Sequence, residues 1–130
     1  MQFSLLILGS PYSTQSATTA LRFATAAVDS GHSIFRVFFY HDAVNVGSEL
    51  ITPAQDEANI PQQWQQLAKA HQIDMVVCIA SALKRGILDK TAAERHEKPA
   101  CNLADSFDIS GLGQLVDATI NSDRLVTFGP

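Results

Sequence analysis

Cysteine is scarce in this chain: two residues, Cys78 and Cys101, stand among 130. They form no CxxC or CxxH pair, which excludes a zinc site read from spacing and predicts a reducing, cytoplasmic compartment. A staple is not needed, because a domain of this length buries roughly two thirds of its unfolded surface. The prediction is one domain over residues 1–130. Basic blocks are also missing. Nine Lys and Arg against thirteen Asp and Glu leave a net charge of -4, so tight binding to a nucleic-acid backbone is not expected and any link to RNA would run through partner proteins. No long apolar run is present. The stretch Met1–Gly9 is too short to span a bilayer and lacks a basic leader and a small-residue cleavage site, so it reads as a strand and no membrane contact is expected. Nucleotide fingerprints are absent as well: neither GxGxxG nor GxxxxGK[ST] occurs.

What the chain does have is Asp74-Met75-Val76-Val77-Cys78-Ile79-Ala80-Ser81-Ala82-Leu83-Lys84-Arg85-Gly86. Its first half is a short apolar run suited to a strand covered on both faces, and its second half predicts a helical turn or two stopped by Gly86. Cys78 falls at the junction. Ligands and chemistry collect at the carboxyl edge of open parallel sheets, and the following helical amides point their positive ends there. A thiol so placed is expected to be exposed and pushed towards thiolate, with a pKa in the range of about 3.5–7.5 against about 8.5 for a free one. An inert core thiol fits the same position, because free cysteine is among the most often buried residue types.

Around that stretch the periodicity predicts an α/β chain. Phe3 to Leu8 reads as a strand, Gly9-Ser10-Pro11-Tyr12 as a turn, and Ala17, Ala20, Leu21, Ala24, Ala27 and Val28 as one face of a helix capped by Ser13 or Thr14 and ended by Gly31. Ser33 to Tyr40 reads as a second strand, parallel to the first through a right-handed crossover. The turn after Leu8 reads as an ordinary capped turn in preference to a phosphate site, and Tyr12, Gln15 and Ser16 would line the crevice near Cys78 if the sheet is parallel. Residues His41 to Asn59 lose periodicity and predict a long loop, a lid or docking segment. His41 and Asp42 leave the second strand at the edge where Cys78 emerges. A Cys–His pair would suit a nucleophile with its base, but no orienting group or oxyanion hole is evident, and a solvated loop histidine fits equally.

Asn59-Ile60-Pro61 begins a helix with Ile60, Trp64, Leu67 and His71 on one face and Trp64 in the core. Lys84 and Arg85 either complement a helix dipole or steer an acidic partner. Asp89 to Pro99 reads as a charged surface turn or two, and Cys101 follows in a loop as a bystander. Phe107 to Ile109 reads as an edge strand, Ser110 as the cap of a helix bearing Leu112, Leu115, Val116, Thr119 and Ile120, and Asp123 to Phe128 as the last strand. The sum is a three-layer α/β/α sandwich with a mostly parallel sheet of about five strands.

Several of these blocks together resemble the DsrE-like sulfur-relay family, in its TusD/DsrE branch. They are Gly9-Ser10-Pro11-Tyr12, Val37-Phe38-Phe39-Tyr40, Thr52-Pro53, Trp64, Asp74-Met75-Val76-Val77-Cys78 with Arg85-Gly86, and Ser110-Gly111-Leu112-Gly113-Gln114-Leu115. The resemblance implies a cytoplasmic sulfurtransferase subunit in a heterohexamer with two smaller paralogous chains, of the TusB and TusC or DsrF and DsrH kind. It places the persulfide-bearing cysteine on Cys78 and no role on Cys101. Sulfur would come from a donor carrier and pass to an acceptor carrier, towards 2-thiouridine in tRNA or within a sulfur-oxidation relay, without metal, nucleotide or redox cofactor. A non-enzymatic flavodoxin-like binding or scaffold module is the competing expectation.

Overall fold

In the strands of this chain neighbouring residues are apolar on both faces, so the sheet has to be central. A computed structural model describes residues 1–130. Its sheet consists of β1 (Gln2–Ile7), β2 (Ser33–Phe39), β3 (Asp74–Cys78), β4 (Phe107–Ser110) and β5 (Arg124–Phe128), in the order β4-β3-β2-β1-β5. Every pairing is parallel. Three successive crossovers step in one direction from β1 to β4 through α1 (Ser16–Asp29), α2 (Ile60–His71), and the short α3 (Ile79–Lys84) and α4 (Lys90–Arg95). The return to β5 runs the other way through α5 (Gly113–Ile120). With right-handed connections, that reversal puts α5 on the opposite face from α1 and α2. Side chains of β2 show it directly. Phe39 meets Trp64 of α2 edge-on, whereas Arg36 reaches Gln114 and Asp117 of α5.

Phe39, Trp64, Phe38, Leu5 and Ile7 are the largest fully buried side chains. Trp64 satisfies its one donor while buried, its Nε1–H reaching the Ala17 carbonyl at 3.2 Å and joining α2 to α1. Asn59 caps α2 as its residue type predicts, its side chain accepting from the Gln62 amide at 3.2 Å. Gly31 takes a φ of +87° just past α1, a conformation that glycine adopts without strain.

Four expectations need correction. Residues His41–Gly47 are a 3-10 helix, not loop, with Ala43, Val44 and Val46 buried; a repeat of three in so short a window escapes a search for periods of 3.6 or 2. Neither Ser13 nor Thr14 caps α1 in the usual way, because Gln15 occupies the cap position already helical; Thr14 instead donates to the Ser10 carbonyl at 3.1 Å. Ser110 does not cap α5. It is the last residue of β4 and pairs in the ladder, two residues short of the Leu112 cap position. Finally, α5 turns Ala118 inward and leaves Leu112, Val116 and Ile120 exposed, because one helix lying on this face of the sheet can bury only one stripe.

Trp64→Ala is expected to lower stability by about 3–5 kcal/mol through the cavity it leaves. A urea midpoint unchanged from the parent chain would contradict this packing.

Candidate functional site at the carboxyl edge of the sheet

β3 ends at Cys78, whose φ of -62° and ψ of 125° are still extended, and α3 begins at the next residue. Cys78 is therefore the cap residue of α3, yet its side chain accepts no amide hydrogen bond from it. At six residues α3 has fewer than two turns, and Gly86 with a φ of +73° ends it. On one side β4 sets Ser110 directly opposite Cys78 in register. On the other side β2 gives way to the 3-10 helix, which is fastened to α3. The His41 amide donates to Ser81 Oγ at 3.2 Å. Arg85 donates through Nε to Asp42 Oδ1 at 2.7 Å and through a terminal nitrogen to the Ser81 carbonyl at 3.1 Å.

This packing overturns one expectation. Cys78 stands where the sequence puts it, but it is 2% exposed and belongs to the hydrophobic core. The helix folds back over the strand end at once, and β4 and the 3-10 helix close the flanks. His41 and Asp42 do reach this edge, without forming a Cys–His pair. The His41 ring stacks on Tyr40 at 4.0 Å, it is the backbone that meets α3, and Asp42 is held by Arg85. Arg85 thus has an intramolecular partner, while Lys84 has no carboxylate within salt-bridge distance. Cys101 is exposed. Its neighbour Asn102 bonds the Leu88 amide and the Gly86 carbonyl, so Cys101 sits on the loop that folds back towards the end of α3.

Tyr12, Gln15 and Ser16 do not converge on Cys78. Tyr12, at a φ of +71°, uses its hydroxyl to donate to the Ala58 carbonyl at 2.7 Å and to accept from the Ile60 amide at 3.0 Å. It clasps the segment before α2. Ser16 is buried under Thr14. A crevice of about 440 Å³ does open at the ends of β1 and β2, lined by Gly9, Ser10, Thr14, His41, Asp42 and Asn45 among others. Gly9 is required there, because a Cβ would collide with the hydroxyls of Thr14 and Ser16.

A family model described as DsrE/DsrF-like matches residues 1–128. The chain belongs to the DsrE/DsrF-like family. Among its relatives, the DsrE protein of Allochromatium vinosum is 52% identical over 99% of both chains. A protein named as a sulfurtransferase TusD homolog in Vibrio vulnificus is 44% identical over 98% of both. The sulfurtransferase TusD of Salmonella typhi is 41% identical over 98% of this chain and 100% of its own. The crystal structure of the YchN protein from E. coli superposes with a TM-score of 0.71 at 26% identity, covering 98% of this chain and 100% of that one. No helix of this DsrE/DsrF-like chain is long and apolar enough to cross a membrane.

The perturbed charges of this family member lie at the other end of β3. Arg36, 8% exposed, donates to Asp74 at 2.6 Å, to Asp117 at 2.9 Å and to the Gln114 carbonyl at 2.8 Å. Burial pulls its pKa down, but the two carboxylates outweigh that and hold it above the ordinary value. Asp108, on the neighbouring strand and exposed on one side, is pushed up by partial desolvation first, then by the charge of Asp74 and by the hydrogen bond its protonated form makes there. This cluster was missed in the sequence, although a lone arginine inside Ile34-Phe35-Arg36-Val37-Phe38 was its signal. An acid whose folded pKa is raised contributes stability below its unfolded pKa near 3.8, and that contribution is lost as pH rises through the folded value. Asp108→Asn is therefore expected to be more stable than the parent chain at pH 7, with the difference fading below about pH 4. Equal unfolding midpoints at pH 7 would contradict the assignment.

Proposed function

We propose that this protein is the sulfurtransferase subunit of a sulfur relay and that Cys78 carries the sulfur as a persulfide. One observation supports the reading above the rest: the chain aligns end to end with proteins named as TusD sulfurtransferases, and one of its two cysteines ends a central strand of a parallel sheet at its carboxyl edge. In the first step the Cys78 thiolate attacks the outer sulfur of a donor persulfide R–S–SH. The new S–S bond forms as the donor's S–S bond breaks, and R–S⁻ departs with the bonding pair. In the second step an acceptor thiolate attacks the outer sulfur of Cys78–S–SH and Cys78 leaves as thiolate. Each step exchanges one S–S bond for another, with no net oxidation, so leaving-group pKa and access govern the rate.

Access is the demanding term. With Cys78 2% exposed, a donor arm reaches the sulfur only when the cover formed by α3, the 3-10 helix and the β4–α5 turn moves. The assembly that supplies donor and acceptor is a heterohexamer with two smaller paralogous subunits in the cytoplasm, and its product is 2-thiouridine in tRNA. A second reading is favoured by the identity of 52% to the DsrE protein against 44% and 41% to the TusD proteins. There the same cysteine serves a sulfur-oxidation relay with different carriers. Deleting the gene and measuring 2-thiouridine in the host's tRNA separates the two: its loss selects the first, its retention the second.

Incubation with a persulfide donor is expected to add one sulfur atom to the chain, mapped by mass spectrometry to Cys78. Cys78→Ser should abolish the gain and Cys101→Ser should leave it intact. If the exposed Cys101 takes up the sulfur and Cys78→Ser does not matter, the carrier has been misassigned.

A further inference from the structure

A buried sulfur that must be anionic twice in each transfer cycle needs a hydrogen-bond donor. Desolvation in apolar surroundings raises a cysteine's pKa and opposes the thiolate. The donors nearest in sequence do not meet that need, since Cys78 takes no amide bond from α3, which is only six residues long. His41 is engaged through its backbone with Ser81 and through its ring with Tyr40. Of the cations at this edge, Arg85 is committed to Asp42 and the Ser81 carbonyl, and Lys84 is the last residue of α3, at the end away from Cys78.

Ser110 offers a donor from the neighbouring strand. Ser110 pairs with Cys78 in the β3–β4 ladder. Paired residues of parallel strands project from the same face, their backbones about 4.8 Å apart. Ser110 is half-buried, and α5 takes no side-chain cap, so its hydroxyl is not used on helix amides. No buried polar atom lacks a partner, and the Ser110 hydroxyl, which bonds to no other group of the chain, is accordingly in reach of solvent. It can rotate to meet an incoming charge. Gly111 and Gly113 follow it with open space around them, which gives the strand end room to adjust.

We propose that Ser110 is a catalytic residue of sulfur transfer, donating its hydroxyl hydrogen bond to Cys78 Sγ when that sulfur is an anion. This rests on the reading of Cys78 as carrier. The bond forms with the thiolate that attacks the donor and again with the thiolate that leaves towards the acceptor. At rest the two side chains form no bond, and a neutral thiol is a weak acceptor. Hydrogen bonds to charged groups are the strong ones, and loss of one is expected to lower the thiolate population on the order of tenfold, a shift of about one pH unit.

The test uses a pair of variants of equal shape, S110T and S110V, both suited to a strand. Iodoacetamide alkylation of Cys78 is followed across pH, with Cys101→Ser as background, alongside sulfur loading from a persulfide donor. S110T is expected to keep the parent's alkylation midpoint and loading rate. S110V should move the midpoint up by about one pH unit and slow loading on the order of tenfold, with the same unfolding midpoint as S110T. Identical profiles for the two variants would overturn the role of Ser110 while leaving Cys78 as carrier. Failure of the parent chain itself to load sulfur on Cys78 would overturn the carrier reading, and this role with it.

Discussion

Parallel pairing of β3 between β2 and β4 is the constraint on which the rest depends. Parallel strands end on one common edge, so the pairing alone brings Cys78, the start of the 3-10 helix after β2, and Ser110 at the end of β4 to the same place. It also forces long crossovers, and these supply the helices that cover the sheet. The ladder therefore sets the fold and the composition of the site together. A one-residue slip of β3 would carry Cys78 to the opposite face and leave Val77 beside Ser110.

That constraint has an electrostatic consequence. The two ends of β3 are chemically opposite: Asp74 enters beside Arg36 in a bonded charge cluster that ties α5 to the sheet, while Cys78 leaves among apolar neighbours with no charged partner. Stability is invested at the amino end, where two carboxylates and a backbone carbonyl share one guanidinium. The proposed chemistry falls at the carboxyl end, where a thiol lies buried under a short helix. On the α5 face Leu112, Val116 and Ile120 lie open.

Much of this was legible in the sequence, for identifiable reasons. Val76-Val77 suited a doubly covered strand, Val37-Phe38-Phe39 a pleated sheet, and Asn59-Ile60-Pro61 the start of a helix. The position of Cys78 at a strand end followed from the junction between a strand-like half and a helical half stopped by Gly86. Its burial did not, because exposure depends on how α3 and the 3-10 helix fold over that end, a tertiary matter. Likewise Arg36 looked like one charge in an apolar strand until Asp74, Asp117 and the Gln114 carbonyl, distant in sequence, were brought around it. The helical spacing of Leu112, Leu115, Val116, Thr119 and Ile120 described a real helix, but Leu112, Val116 and Ile120 lie open while Leu115 and Ala118 do the packing.

The account stands on the cover over Cys78 opening locally while the domain stays folded. The direct measurement is the rate at which a thiol reagent modifies Cys78 under native conditions, compared with exposed Cys101 and with the global stability from urea unfolding. Global unfolding at 5–15 kcal/mol would expose Cys78 in fewer than about one molecule in a few thousand. The account predicts that Cys78 reacts more slowly than Cys101 but far faster than that population permits. Modification of Cys78 only at the rate that global unfolding allows would mark it as a core thiol and contradict its role in transfer.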